Sequence, residues 1–131
     1  DTFSGAELAF VNKGVRLDVF RHQWHGMIKE SEAGQKRVHP TQKPVALVVW
    51  CFDNYNAGLN ILDFFLGSGT TLIACEQLNR NCYGMELDEK YCDVIVRRWI
   101  AQMEKDGAKW KVLLNGEERA DMVSKLLEQG N

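Results

Sequence analysis

The feature that most constrains this chain is the stretch NILDFFLGSGTTLIACEQL, Asn60–Leu78. The run Leu59–Phe65 is short and almost continuously apolar, which predicts a strand buried on both faces of a parallel sheet. A glycine-serine-glycine bend follows at Gly67, Ser68 and Gly69. Thr70–Asn79 then reads as a helix, with Leu72, Ile73, Ala74, Cys75 and Leu78 on its apolar side and Asn79 at its end. A parallel strand needs a parallel neighbour reached through a crossover helix. NCYGMEL, Asn81–Leu87, supplies that second strand. Asp88 can cap the next helix, which runs to about Met103 with Tyr91, Val94, Ile95, Trp99 and Met103 facing inward. Strand, helix, strand and helix with short links define an α/β chain.

Upstream, Thr41 is a candidate N-terminal cap and Pro44 suits a first helical turn. Val45–Phe52 is rich in β-branched residues, so a strand competes there. Pro44 in front and Asn56-Ala57-Gly58 behind favour a helix of about three turns. VRLDVFRHQW reads as one strand of a small hairpin, and 29–37 (KESEAGQKR) as a flexible surface loop. KWKVLLNGEE predicts a strand ending in a turn at Asn115-Gly116. A last helix carries Met122, Val123, Leu126 and Leu127, with Gly130 as its stop.

The chain has 131 residues, the size of one domain or part of one, and an ordinary 45% hydrophobic content. Net charge is −2, which exerts no global pull on nucleic acid or membrane. Residues 1–43 hold seven Lys/Arg against five Asp/Glu, and the remainder holds nine against thirteen. Scattered surface charge is the plainer account of that asymmetry, although a basic front is compatible with a polyanion. Cys51, Cys75, Cys82 and Cys92 form no C-x-x-C pair and lie among apolar or aromatic neighbours. Buried reduced thiols in a cytoplasmic protein are expected, not a disulfide frame or zinc site. His22 and His25 lack a third ligand and read as surface histidines, so no metal is expected. No signal peptide or membrane-spanning run is present in the sequence given. It starts at Asp1, which suggests trimming or a longer polypeptide.

Ligands of βαβ units collect where strand ends meet helix starts. Glycines at 67 and 69 let the backbone approach a ligand closely, and the helix from Thr70 points its N–H groups there. Asp63 ends the strand, and a carboxylate there repels phosphate and attracts ammonium. No G-K-[ST] follows, which excludes a Walker loop, and Leu72 occupies the third-glycine position of the dinucleotide fingerprint. Glu86 ends the second strand, 19 residues past Gly67, the usual spacing for a carboxylate that holds ribose hydroxyls. A nucleoside bearing an amino acid satisfies this donor and acceptor pattern, and S-adenosylmethionine has that anatomy. A glycine turn alone is also an ordinary tight turn; it is the combination with Asp63 and Glu86 that points to a cofactor.

DFFLGSGTT resembles the D-P-F-x-G-S-G-T-T motif of amino-methylating DNA methyltransferases, which make N-6-methyladenine or N-4-methylcytosine. RVHPTQKPVALV (Arg37–Val48) resembles the H-P-T-Q-K-P segment that precedes that motif in the family's β order, and GMELDEKYCDVIVRRW resembles the second strand and its helix. The likeness covers about residues 37–100, with Phe64 in place of the usual proline. It implies a Rossmann-like class I methyltransferase sheet with flanking helices, of whose seven strands this chain supplies only part, with Lys109–Leu114 as a further strand. It implies S-adenosylmethionine contacts from Asp63, Phe65, Gly67, Ser68, Gly69, Thr70 and Glu86, with Thr41, Gln42 and Lys43 closing over the methionine end. Thr70 and Thr71 serve equally well as helix formers.

The family activates its target amine with a D/N/S-P-P-Y/F/W loop, whose acceptor atoms take the amine hydrogens and whose ring stacks on a flipped base. Pro40 and Pro44 are the only prolines here, so no such pair exists and no catalytic residue is assigned. The resemblance therefore implies a cofactor-binding part of a double-stranded-DNA methyltransferase, inactive by itself. Residues 1–36 would end the target-recognition region or link to it, and 37–131 would form the cofactor-binding portion. Arg16, Arg21 and Arg37 become candidate phosphate contacts, and Phe20 or Trp24 packs on DNA or buries itself. A non-catalytic binding module or split subunit is the alternative; an RNA or small-molecule methyltransferase is disfavoured by H-P-T-Q-K-P. The Asp63 strand is expected to expose an edge that recruits the missing segment or a second copy.

Overall fold

The computed structural model describes residues 9–12, 14, 17–25, 28–35 and 37–129. Arg16 and Gly130 lie outside these, as do the side chains of His25 and Ile28. Ten elements follow in order: β1 (Trp24–His25), β2 (Ile28–Lys29), α1 (Val45–Asn54), β3 (Asn60–Asp63), α2 (Thr70–Gln77), β4 (Asn81–Gly84), α3 (Glu89–Lys105), β5 (Leu113–Leu114), β6 (Glu117–Glu118) and α4 (Ala120–Glu128).

β3 and β4 pair in parallel, with Asn60 opposite Asn81 and Asp63 opposite Gly84. The pairing continues past both strands, where Met85 N donates to the Asp63 carbonyl and Leu66 N to the Met85 carbonyl, each at 2.9 Å. Those two bonds carry Asp63 and the glycine loop to the strand ends together. α2 makes the crossover, packing on β4 on one side and on α1 on the other. The core they share is Val45, Ile73 and the fully buried Ala74, flanked by Val48, Val49 and Phe52.

The expected helices form where the sequence places them. Asp88 caps α3 by accepting from Lys90 N at 2.9 Å. Asn56 is left-handed just beyond α1, as Asn79 is just beyond α2. α3 buries Ile95, Ile100 and Met103, of which Ile100 was not expected, while Tyr91, Val94 and Trp99 are half-buried.

Several expectations are corrected. Thr41 does not cap α1: Pro44 occupies that position without a side-chain bond, and Glu32 from the preceding loop accepts the Val45 N–H at 3.0 Å. The loop 29–37 is accordingly not a free surface loop; its first residue pairs in β2 and Glu32 is tied to two helices. β3 is not buried on both faces, because Leu62 and its register partner Tyr83 are 59% and 58% exposed. The hairpin expected of VRLDVFRHQW forms at its end, where Trp24 pairs with Lys29 and Glu30 N donates to the Gln23 carbonyl at 2.9 Å, while 17–22 form no strand. β5 does not join the parallel pair; it folds back on β6 through Asn115 and Gly116, both at positive φ, as a two-residue hairpin turn demands.

Among the thiols, Cys75 is buried and Cys51 and Cys82 are half-buried, but Cys92 is exposed, contrary to expectation. Burial, with Cys75 beside it, pushes the Cys82 thiol up to about 12. His22 is not a surface histidine: its side chain is 9% exposed, stacks on Phe20 and lies 2.9 Å from the Ser31 hydroxyl. Among the described residues no helix is long and apolar enough to cross a membrane.

Candidate functional site

A cleft of about 480 Å³ opens at the C-terminal ends of β3 and β4, within the usual size range for small-molecule sites. Nine of the ten residues singled out in the sequence line it: Thr41, Gln42, Lys43, Asp63, Phe65, Gly67, Ser68, Thr70 and Glu86. His39, Val48, Phe64, Leu66, Thr71 and Leu87 complete the wall.

Gly69 is the exception. It stands at the N-cap of α2 with φ 80°, and a Cβ there would lie 3.0 Å from Ile95 Cγ2. Its role is to let the loop turn left-handed against α3, so it acts on packing. Gly67 also has positive φ, at 56°, with only the Phe65 carbonyl near a hypothetical Cβ, at 3.9 Å.

The carboxylates organise the loop. Asp63 accepts from Phe65 N at 2.9 Å and from the Thr71 hydroxyl at 2.6 Å. Glu86 accepts from Gly67 N at 2.7 Å, Leu87 N at 2.9 Å and Asp88 N at 3.0 Å. The Asp88 N–H first, then that of Gly67, hold the Glu86 carboxyl below its usual range, because they bond its charged form. Both Asp63 oxygens and Glu86 Oε2 keep a lone pair for a further donor, whereas Glu86 Oε1 already accepts two N–H groups. Gly69 N bonds the Leu66 carbonyl at 2.8 Å. With Phe65, Gly67 and Gly69 N–H groups engaged inside the loop, the cleft presents carboxylate acceptors and little of the N–H nest that phosphate requires.

H-P-T-Q-K-P forms the facing wall. Its Gln42 is buried, but the amide turns inward: Oε1 accepts from Val38 N at 3.0 Å, and its carbonyl accepts from the Trp24 indole at 3.0 Å. The Lys43 carbonyl accepts from the Thr70 hydroxyl at 3.2 Å, tying this segment to α2. The Thr41 hydroxyl lies 3.1 Å from His39 Nδ1, and the His39 ring packs on Tyr91 with centroids 4.5 Å apart. His39 was missed in the sequence, although it opens the quoted motif. Phe65 is 90% exposed over the cleft.

Of the phosphate-contact candidates, Arg21 and Arg37 are exposed. Arg37 bonds the Trp24 carbonyl and lies over the Trp24 ring, as does Lys29. Phe20 packs on Trp50 with centroids 5.3 Å apart. No group of three or more metal-ligating side chains forms among the described residues.

A parallel βαβ unit with a carboxylate at each strand end and a glycine loop between them is part of a Rossmann-like α/β fold. The profile of the DNA methylase family, the N6/N4 amino-methylating type, matches residues 11–97, and the chain belongs to that family. It is 38% identical over 64 residues to the type II methyltransferase M.HpaI of Haemophilus parainfluenzae, covering 48% of this chain and 20% of that protein. It is 46% identical over 41 residues to M.SmaI of Serratia marcescens, covering 31% and 14%. It is 38% identical over 72 residues to M.HinfI of Haemophilus influenzae, covering 54% and 20%. The matched part thus spans a fifth or less of these relatives. A crystal structure of an M1.HpyAVI–SAM complex superposes at a TM-score of 0.43 and 39% identity, covering 50% of this chain and 34% of that one.

Proposed function

We propose that this chain is the S-adenosylmethionine-binding portion of an enzyme that methylates an exocyclic amine of adenine or cytosine in double-stranded DNA. The observation that carries the reading is the acceptor pattern of the cleft, with Asp63 and Glu86 at its two strand ends. Asp63 suits an ammonium group, Glu86 suits ribose hydroxyls, and exposed Phe65 offers a ring face to a purine. Ser68 and Thr70 line the bend between them, with Gly67 giving close backbone approach and Gly69 setting its turn. Thr41, Gln42 and Lys43 face them across the cleft. Bound there, S-adenosylmethionine supplies a sulfonium methyl carbon to the amine nitrogen, the carbon–sulfur electron pair staying on sulfur while the amine gives up a proton.

This chain's residues hold and orient; the groups that accept the amine hydrogens come from a Pro-Pro loop on another segment of the complete enzyme. Residues 37–131 form the cofactor portion, and 1–36 end the target-recognition region, with Arg16, Arg21 and Arg37 against phosphates. The absence of adjacent prolines also supports the second reading, a binding subunit that acts with a catalytic partner.

Calorimetric titration of the chain with S-adenosylhomocysteine tests the site. Asp63→Ala and Glu86→Ala should each weaken binding about tenfold, the equivalent of one charged hydrogen bond. Measurable binding that neither substitution alters would show that the site is misplaced. A radiolabelled methyl-transfer assay on mixed-sequence DNA should give no product with this chain alone, and turnover would refute the division of labour.

A further inference from the structure

The glycine loop is held from two sides, and only the front is explained by the cofactor site. Behind it, Arg98 on α3 reaches Ser68 between the two left-handed glycines. One guanidinium nitrogen donates to the Ser68 carbonyl and lies 3.0 Å from its hydroxyl. The other donates to Glu32 at 3.3 Å. Glu32 uses its second oxygen to accept the Val45 N–H, at a helix start with no cap of its own. Both side chains are nearly enclosed, 14% exposed for Arg98 and 12% for Glu32. Glu32 holds a left-handed φ of 54° to make these contacts, a conformation that disfavours a residue bearing a Cβ by about 1–2 kcal/mol. A relay from Val45 through Glu32 to Arg98, three separate pieces of chain, therefore ends on the Ser68 carbonyl of the loop.

Ser68 is the residue whose orientation its own neighbours leave least determined. Gly67 and Gly69 both permit a wide range of backbone angles. Rotation of the Ser68–Gly69 peptide would break two bonds, that of its N–H to the Leu66 carbonyl at 2.8 Å on the loop's own side and that of its carbonyl to Arg98 from α3. A planar fork with several fixed donors can hold carbonyl, hydroxyl and carboxylate at once; an ammonium on a flexible stem cannot keep all three.

We propose that Arg98 is a positioning residue for the cofactor loop, acting through Ser68, and that Glu32 sets the guanidinium in place. The proposal rests on the reading of the cleft as a cofactor site. Arg98 touches no ligand in this scheme. It fixes the shape against which Asp63 and Glu86 present their acceptors, and it couples that shape to the seating of 29–37 on α1.

The test compares full-length chain carrying Arg98→Ala, Arg98→Lys, Glu32→Gln or Trp99→Phe. The last is a control on the same helix, where it removes the indole bond to Glu76. Titration with S-adenosylhomocysteine should show about a tenfold loss for Arg98→Ala, the size of one charged hydrogen bond. Arg98→Lys should recover part of it, Glu32→Gln should lie between lysine and wild type, and Trp99→Phe should bind as wild type even if it melts as early. Amide hydrogen exchange should quicken at Gly67 and Gly69 in Arg98→Ala and not in Trp99→Phe. If wild type itself fails to bind, the cofactor reading falls, and the exchange data still decide the positioning role. Unchanged exchange at the loop in Arg98→Ala, or equal affinity loss in Trp99→Phe, overturns the proposal.

Discussion

Gly69→Ala separates two costs that usually arrive together. The first is conformational: φ is 80°, and an L-residue in the left-handed region is disfavoured by about 1–2 kcal/mol. The second is steric. The new Cβ would meet Ile95 at 3.0 Å (Cγ2) and 3.2 Å (Cγ1). Ile95 is buried, lies in the middle of α3, and as a β-branched helical residue has one strongly favoured rotamer. Relief therefore requires α3 to shift, and overpacking of that kind costs about 1–3 kcal/mol. Gly107→Ala is the matched reference, since Gly107 has φ 64° and nothing within 4 Å of a Cβ. It should lose only the conformational part. Urea unfolding followed by the fluorescence of the four tryptophans should thus place Gly69→Ala lower than Gly107→Ala by about 1–3 kcal/mol, with equal slopes. Equal losses at the two sites would refute the claim that Gly69 exists for the close approach of α2 and α3.

Two further outcomes are expected. The folded-state pKa of Glu86 is depressed, so its contribution to stability is present above the unfolded carboxyl pKa of about 4.3 and fades as pH falls through the folded value. Thermal melts between about pH 3 and 7 should then show a shallower acid limb for Glu86→Gln than for wild type, and parallel limbs would sink that account. Leu59, Leu62, Phe64 and Tyr83 form an exposed apolar set along β3 and β4, and such patches recruit partners; light scattering on dilution should show association of the isolated chain, and a constant monomer mass at micromolar concentration would contradict it.

The parallel pair, its crossover helix and the cleft were legible because each rests on local rules: an apolar run, paired glycines, a carboxylate at each strand end. What the sequence concealed was tertiary. Nothing in KESEAGQKR announces that Glu32 will leave solvent to cap α1, since an acidic residue in a polar stretch is ordinarily solvated. Arg98 sits in VRRW beside Arg97, and only the burial of one face of α3 distinguishes them. Gln42 was taken to face the cofactor, yet its side-chain oxygen serves Val38; a buried amide satisfies the nearest backbone donor first. Gly69 was placed in the cleft by its motif, whereas its neighbours across the turn decide its use. The open face of β3 was misjudged because an apolar run reports hydrophobicity and not what covers it.

The hydroxyl of Thr70, bonded to the Lys43 carbonyl, joins residues 27 apart. Closing a loop of that length costs on the order of 3 kcal/mol in chain entropy, while a neutral hydrogen bond returns only about 1 kcal/mol. The bond cannot gather the two motifs by itself. The work is done by Val45 against Ile73 and Ala74, which hold α1 beside α2 and deliver the two segments already aligned. The two motifs that line the cleft are therefore passengers on an apolar helix pair. A change in any of those three core side chains would reshape the cleft without touching its lining.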